Sequence, residues 1–281
     1  MQALSPQLRR AARFVVERPG DVATRSQRFV AEEANLPAPT FTRLAQAIGL
    51  HSYDQLRDLC RKDVLPARTV LADRAHALAS EDHPEDRPLI EQHAAAMMRN
   101  VQALLDRVDH TKLTNAAQRL AQARRVILIG EMSARGLADY AAYIANMSLT
   151  GWTVLGRTGD SLSSELATLG PQDACLVASI SPYSARAVDM TRHVAARDVP
   201  VIAITDNALS PFGSIADQSF YVGTDSPQFF PSHVTSMLVF ETLLDMVIRE
   251  KGAKALEHIA AVERQNHKLN EYWRDTPARK K

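Results

Sequence analysis

Apolar residues recur with a helical period through the first part of the chain. After Ser5 and Pro6, which suit a helix start, Leu8, Ala11 and Val15 fall on one face of a predicted helix. Four further helical segments follow up to residue 64, separated by glycine, proline and asparagine turns, and none carries a strand pattern. The sequence therefore predicts an all-α domain over residues 1–79.

The period changes beyond residue 123, where short apolar runs alternate with helical segments. Each run is too short for a helix, and each interval is long enough for a crossover helix. Continuous apolarity means that both faces of the sheet are covered, as in a parallel sheet between helices. The fold class is thus an all-α head followed by a three-layer α/β domain with a five-stranded parallel sheet. The predicted strands are 126–129, 152–155, 175–178, 201–204 and 220–222.

A polar segment separates the two predicted domains. Residues 80–88 hold two prolines and four acidic residues without an apolar one, which indicates a linker. The α/β domain with its flanking helices takes residues 89–273, and residues 274–281 form a flexible basic tail. The apolar faces of residues 89–120 and 232–273 exceed what one small sheet needs, so we expect a homodimer or higher homo-oligomer.

Composition excludes several classes of protein. With 46% hydrophobic and 23% charged residues, the 281-residue chain is neither disordered nor fibrous. Its longest uncharged stretch, residues 140–156, is interrupted by polar side chains, so no membrane span is predicted. Cys60 and Cys175 lie far apart and belong to no ligand cluster or disulfide framework, so we expect a cytoplasmic protein with neither a metal nor a cofactor.

The predicted third and fourth helices have the spacing of a helix-turn-helix. Small Ala31 allows close helix approach, Asn35 suits the left-handed turn, and Phe41 and Leu44 anchor the second helix. Residues 1–79 carry 12 basic and 8 acidic residues, a balance of +4 that fits a nucleic-acid partner. An ordinary helical hairpin is the alternative. The candidate DNA-binding residues are Ala38, Pro39, Thr40, Thr42, Arg43 and Gln46.

Two stretches of the head resemble the helix-turn-helix of RpiR/MurR-type bacterial transcriptional regulators. They are residues 5–15 (SPQLRRAARFV) and residues 29–56 (FVAEEANLPAPTFTRLAQAIGLHSYDQL). The resemblance implies operator DNA as a partner. This chain departs from the family at three positions: Pro37 replaces a serine, and Gln46 and Ala47 replace basic residues. These departures affect the contacts with DNA bases and leave the helix-turn-helix motif intact.

The α/β domain carries hydroxyl side chains after two of its strands. Gly130 and Ser133 follow the first strand, and Ser179, Ser181 and Ser184 follow the third. The carboxyl ends of parallel strands share one edge, where open α/β sheets bind ligands. Hydroxyl donors beside helix N-termini suit a phosphate monoester, although each serine alone is also explained as a helix cap.

Residues 124–250 resemble a SIS (sugar isomerase) domain, the usual partner of that head. The resemblance rests on the turn after the first strand, on the residues that follow the third strand, and on residues 204–211 (ITDNALSP) and 226–232 (SPQFFPS). It implies that Ser133, Ser179, Ser181 and Ser184 contact a phosphorylated sugar. We add His233, at the start of the last domain helix, as a ligand-binding residue. The departures from the family pattern, which imply an altered ligand preference, are Met132, Ala134, Pro182 and Arg186.

Catalysis of an aldose-ketose isomerisation needs a base, and four residues are candidates. Glu165, Glu241, His193 and His233 are available, but the sequence shows a partner for none. We therefore expect no enzyme, but a regulator whose operator affinity is controlled by a phosphorylated sugar or sugar acid. The alternatives are a sugar-phosphate isomerase with an accessory helical domain, and a sugar-binding protein whose head mediates assembly.

Overall fold

The computed structural model describes residues 5–64, 67–79, 87–157, 159, 161–208 and 210–273. The chain divides into two compact units, a head (Met1–Asp73) and a body (Arg74–Lys281). This division lies before the predicted linker, inside a sixth helix that the sequence analysis does not predict. Most of the predicted linker (80–88) and all of the predicted tail (274–281) lie outside the described residues.

The head is all-α, as predicted. Ser5 caps the first helix, where its hydroxyl accepts the Leu8 N–H, and Ser26 caps the third in the same way at Phe29. The last of its helices runs across the division between the two units. The helices are α1 (Pro6–Glu17), α2 (Pro19–Thr24), α3 (Gln27–Glu33), α4 (Pro39–Ala47), α5 (Tyr53–Val64) and α6 (Ala67–Ala79).

Phe41 lies at the centre of the head core. Its ring is fully buried and meets Phe14 and Tyr53 edge-to-face, at centroid distances of 6.2 and 6.5 Å. Asn35 adopts a φ of 50°, the left-handed turn that its position between α3 and α4 predicts. Phe41 therefore holds α4 to the core by one face and leaves the opposite face outside.

After α6, the described part of the body holds seven α-helices, five strands and two short 3-10 helices, Met132–Ala134 and Pro211–Ser214. Residues 89–122 form two helices, and the second begins after Asp109, whose carboxylate caps it. The helices are α7 (Leu89–Leu105), α8 (His110–Gln122), α9 (Arg135–Ser148), α10 (Leu162–Ala167), α11 (Ala185–Ala195), α12 (Val234–Lys251) and α13 (Ala253–Leu269). The strands are β1 (Val126–Ile129), β2 (Trp152–Val154), β3 (Ala174–Ala178), β4 (Val201–Thr205) and β5 (Gln218–Tyr221).

The five strands form one parallel sheet in the order β2-β1-β3-β4-β5. Successive side chains of β1 point to opposite faces, so that Val126 and Leu128 enter one apolar cluster and Ile127 and Ile129 enter another. Residues of α8, α9 and α12 cover the first face, and residues of α10 and α11 cover the second. The predicted three-layer α/β architecture is confirmed.

A buried carboxylate ties together the amino edge of the sheet. Asp173, fully buried before β3, accepts hydrogen bonds from Arg124 at 2.8 Å, from Arg125 at 3.1 Å and from the Gly170 N–H. Burial alone would raise the pKa of Asp173, but these hydrogen bonds outweigh it and lower the pKa from 3.8 to about 2. The ionised carboxylate thus stabilises the start of the sheet.

Candidate functional site

The turns after β1 and β3 lie side by side, because these strands are neighbours in the sheet. An ion pair crosses between the turns, with Arg186 Nε 3.5 Å from Glu131 Oε1. Arg186 lies in the first turn of α11, and Glu131 is the second residue after β1. The two hydroxyl-bearing turns predicted from the sequence therefore meet at the carboxyl edge.

Ser133 and His233 come together at this edge. Ser133 Oγ lies 3.0 Å from Nε2 of His233, and the other ring nitrogen, Nδ1, lies 3.3 Å from Ser236 Oγ. Ser133 is exposed while His233 is half-buried, and burial lowers the pKa of His233. A neutral imidazole beside an exposed hydroxyl offers a ligand both a donor and an acceptor.

The turn after β1 brings backbone atoms close together. A Cβ at Gly130 would lie 2.5 Å from the Ala134 carbonyl oxygen, so that only glycine fits there. Met132 has a φ of 53°, a left-handed conformation that favours glycine, and this is a position where the family resemblance implies one. Its side chain is exposed at the site.

The three serines after β3 have different surroundings. Ser179 and Ser184 are buried, whereas Ser181 is exposed. The Ser184 hydroxyl accepts the Ala187 N–H and so caps α11, the alternative that the sequence left open. The Ser181 N–H donates to Asp206 at the end of β4. Of the three hydroxyls, that of Ser181 is therefore the most accessible to a ligand.

Asp206 organises the next turn along the sheet. Its carboxylate accepts hydrogen bonds from the Tyr183 hydroxyl at 2.7 Å and from the hydroxyl of Thr205 at 3.3 Å. Tyr183 in turn accepts from Asn207 Nδ2 at 3.1 Å. This network fixes the segment that contains Ser181.

The segment between β5 and α12 is anchored to α7. Buried Asn100 donates from Nδ2 to the Asp225 carbonyl at 2.8 Å and accepts the Asp225 N–H at Oδ1, at 3.2 Å. A Cβ at Gly223 would lie 2.7 Å from Asn100 Oδ1, and the Thr235 hydroxyl donates to the Gly223 carbonyl. These contacts hold the chain on both sides of His233.

The predicted candidates for a catalytic base lie in different places. Glu165 accepts the Gly156 N–H at 3.0 Å, and Glu241 accepts the Tyr140 hydroxyl at 2.6 Å. His193 is exposed near the C-terminal end of α11, which returns the chain to the amino edge of the sheet. Of the four candidates, His233 has the hydrogen bond to a predicted ligand-binding residue.

Arg186 and Glu131 are site residues for which the sequence pattern predicts no ligand contact, although Arg186 is one of the departures from the family pattern. The Arg186 side chain is 59% exposed, and Arg135 also reaches Glu131, at 3.9 Å. Two arginines thus flank the Glu131 carboxylate at the edge that carries Ser133 and Ser181.

The candidate DNA face lies on α4 in the head. Arg43, Gln46 and Pro39 are exposed, and Ala38 is half-buried. Thr42 is half-buried, and its hydroxyl accepts a hydrogen bond from Gln27 Nε2 at 2.9 Å; the same amide donates to the Ala38 carbonyl at 2.6 Å.

Thr40 corrects one expectation. Its side chain is fully buried, and its hydroxyl has no hydrogen-bond partner among the described residues. The expectation that Thr40 contacts DNA is therefore wrong for the folded head. Thr40 precedes Leu44 by one helical turn and shares its buried face.

The described residues contain no group of three His, Cys, Asp or Glu side chains that could hold a metal ion. None of the helices described is long and apolar enough to cross a membrane.

Residues 119–246 match the family model of the SIS domain. The body is similar to the sugar isomerase domain of an RpiR transcription factor from Sphaerobacter thermophilus, at 25% identity, with a TM-score of 0.58 over 65% of this chain and 100% of that one. The Vibrio vulnificus NanR protein, solved in complex with ManNAc-6P, is 17% identical, with a TM-score of 0.54 and 96% of each chain covered.

A more distant structure is the phosphoheptose isomerase GmhA from Neisseria gonorrhoeae. It is 14% identical, with a TM-score of 0.45 over 56% of this chain and 96% of that one. Among curated proteins, a sequence search finds no match. Residues 119–246 of the body thus carry the sequence pattern of a SIS domain, and the body is similar in structure to the sugar isomerase domain of an RpiR transcription factor.

Proposed function

We propose that the protein is a DNA-binding transcriptional regulator of carbohydrate metabolism, acting on operator DNA in the cytoplasm. The observation that carries this proposal is the likeness of the body to the SIS domain of an RpiR transcription factor, at 25% identity. A second, all-α unit with exposed Arg43 and Gln46 on α4 supports it, because a helix held by its apolar face can enter a major groove.

The proposed effector is a phosphorylated sugar or sugar acid bound at the carboxyl edge of the sheet. The exposed hydroxyls of Ser133 and Ser181 would donate to phosphate oxygens, and His233 would contact a sugar hydroxyl. Ser179 and Ser184 would complete the site from the buried side. NanR, which shares the fold, was solved with ManNAc-6P, a ligand of this chemical class. Arg186 supplies a cation that suits a carboxylate on a sugar acid.

We propose no catalytic role. The alternative, an aldose-ketose isomerase, needs a free base beside the sugar carbon. Glu165 and Glu241 are each engaged with a donor, as described above, and His193 lies toward the opposite edge. His233 remains, and the test below includes isomerase turnover for this reason.

We further propose that the protein is a homodimer or higher homo-oligomer. One face of α7 exposes an apolar stripe of Ile90, Ala94, Met98, Val101 and Leu105, spaced by three or four residues. Ile90 is 75% and Met98 66% exposed in the single chain, and an isolated stripe of this kind is typical of a buried helix contact. Paired heads would read two half-sites of a palindromic operator.

The test is an operator titration with and without effector. An operator selected from random duplexes would be labelled, and its affinity measured by fluorescence anisotropy across a series of phosphosugars and phosphorylated sugar acids. We expect at least one of these ligands to change the affinity, and Ser181→Ala to raise the ligand concentration needed by about tenfold or more, since a donor to a charged oxygen is lost.

The matched control for that variant is Ser214→Ala, because Ser214 is exposed but follows β4 on the way to the amino edge of the sheet. It should titrate as the wild type does. Isomerisation of a phosphosugar by the purified chain, abolished in His233→Gln, would instead establish the enzyme. If the protein binds every duplex in a salt-independent way, or binds none, the head mediates assembly and does not recognise DNA.

A further inference from the structure

A half-open cavity with a positively charged rim lies at the amino edge of the sheet, on the side opposite Ser133 and Ser181. Its volume is about 220 Å³, and it opens where β1 and β2 begin, between the end of α9 and the turn that joins α12 to α13. All of its lining residues belong to the body. It is thus separate from the site proposed for the phosphosugar.

The floor of the cavity is apolar and fixed. Leu149, Trp152 and Ala255 line it and are buried. Asn146 joins the surrounding elements, because its side chain donates to the Trp152 carbonyl at 2.7 Å and its own carbonyl accepts from His258 Nε2 at 3.1 Å. A floor that is held by α9, β2 and α13 together is formed before any ligand enters.

The rim carries uncompensated positive charge. Lys251, half-buried, and Lys254, exposed, line the cavity, and none of the lining residues is acidic. Within the part of the chain that the structure describes, neither lysine forms an ion pair. Arg125 lines the cavity as well, but its guanidinium is bound to Asp173. The field in the cavity therefore comes mainly from the two lysines.

We propose that this cavity is a second ligand site, for a small carboxylate that carries a ring or a short alkyl group. The carboxylate would lie between Lys251 and Lys254, and the apolar part would cover Leu149 and Ala255. The volume is smaller than the 300 to 1,000 Å³ typical of drug-sized ligands, which restricts the occupant to about one ring. A charged group beside an apolar surface distinguishes such a ligand from a phosphosugar, which is polar throughout.

The fluorescence of Trp152 reports ligand binding in this cavity directly. The chain has two tryptophans, and the other, Trp273, is 86% exposed at the end of the described chain. In the full-length Trp273→Phe variant, the tryptophan fluorescence comes from Trp152 in the cavity floor alone. Benzoate, its neutral isostere benzamide, and acetate, which has the charge without the ring, would be titrated against this variant, with calorimetry as a second measurement.

We expect benzoate to change the Trp152 emission in a saturable way, and benzamide and acetate to bind at least about tenfold more weakly. Replacing both lysines, Lys251→Gln with Lys254→Gln, should raise the dissociation constant for benzoate about tenfold or more, which is about 1.4 kcal/mol. The same double replacement should leave the dissociation constant for benzamide unchanged. Raising the NaCl concentration should weaken benzoate binding alone.

The matched control is Lys112→Gln with Lys268→Gln, two exposed lysines that do not line the cavity. This variant should bind benzoate as the parent does, and so should Ser181→Ala, because the proposal does not depend on the phosphosugar site. Equal affinities for benzoate and benzamide, an unchanged benzoate affinity in the variant without Lys251 and Lys254, or no saturable binding by either method would each overturn the proposal.

Discussion

Ser133 Oγ lies 3.0 Å from His233 Nε2, although 100 residues separate the two in the chain. Ser133 follows the first strand of the sheet and His233 precedes the last helix of the SIS domain, and the fold brings both to one edge. Both ring nitrogens of His233 are within hydrogen-bond distance of a serine hydroxyl. The ionisation of this one ring is therefore linked to the stability of the site.

The first prediction concerns acid pH. Burial lowers the pKa of His233 below 6.5, so the unfolded chain takes up a proton near pH 6.5 while the folded chain does so only at lower pH. Stability is unaffected above pH 6.5 and falls below it. In His233→Gln, the loss of unfolding free energy between pH 7.5 and pH 5, measured by urea denaturation, should be smaller than in the wild type.

Ser133→Ala is the control for that result, since it removes the hydrogen bond and leaves the ring buried. It should keep the wild-type dependence on pH. If Ser133→Ala abolishes the dependence, the hydrogen bond rather than burial is its cause.

The second prediction concerns Thr40. A buried hydroxyl without a partner costs roughly 1 to 3 kcal/mol, so Thr40→Val should stabilise the head by about 1 kcal/mol. Thr42→Val is the matched change, and it should destabilise the head because Thr42 accepts a hydrogen bond from Gln27. Hydrogen exchange of the α4 amides measures both. We expect slower exchange in Thr40→Val. If exchange is not slower in that variant, or if Thr40→Val destabilises the head, the Thr40 hydroxyl is not an unpaired buried group.

The third prediction tests the candidate DNA face. Arg43→Ala should weaken binding to the selected operator more than to random duplex, because one base contact discriminates by roughly 1 to 3 kcal/mol. Arg28→Ala, on α3, serves as the comparison, since Arg28 is exposed and pairs with Glu32 at 3.5 Å. Equal losses of affinity for both duplexes would indicate that Arg43 contacts a phosphate rather than a base. Anisotropy at two salt concentrations separates the cases.

The fourth prediction concerns Asp173. A pKa that falls from 3.8 to about 2 on folding corresponds to about 2 kcal/mol of stability at neutral pH, present above pH 3.8 and lost as the pH falls toward 2. Asp173→Asn should lower the unfolding free energy of the body by about that amount or more, because two arginines lose their partner. Asp189→Asn, in an exposed pair with Arg192, should cost under about 1 kcal/mol.

The fifth prediction tests the oligomer. Met98→Glu places a charge in the α7 stripe and should shift the full-length protein toward the monomer in sedimentation velocity experiments. Arg99→Glu, at the neighbouring exposed position of the same helix, should not. A monomeric wild type, or dissociation by both variants alike, would refute the proposed contact.

The sequence predicted the sheet well, for a physical reason. Runs such as residues 126–129 are apolar without alternation because helices cover both faces, and that pattern distinguishes a central parallel strand. The anchor Phe41 and the turn at Asn35 were likewise readable, because each position demands a particular residue type.

Other features depend on which elements become neighbours. The pair of Glu131 and Arg186 exists because β1 and β3 are adjacent, an order that strand patterns do not specify. The cavity at the amino edge needs the turn between α12 and α13 to reach β2. Thr40 was misplaced although the information was present: it precedes Leu44 by four residues and shares its face.

Asn100 has a consequence for how ligand affinity should be measured. It lies on the buried side of α7, while the apolar stripe lies on the outer side, and its side chain holds the segment that leads to His233. Suppose that copies pair through the stripe and that α7 couples this assembly to effector binding through Asn100. Thermodynamic reciprocity then requires that each strengthen or weaken the other by the same factor. The effector's dissociation constant would therefore depend on the total protein concentration at which it is determined.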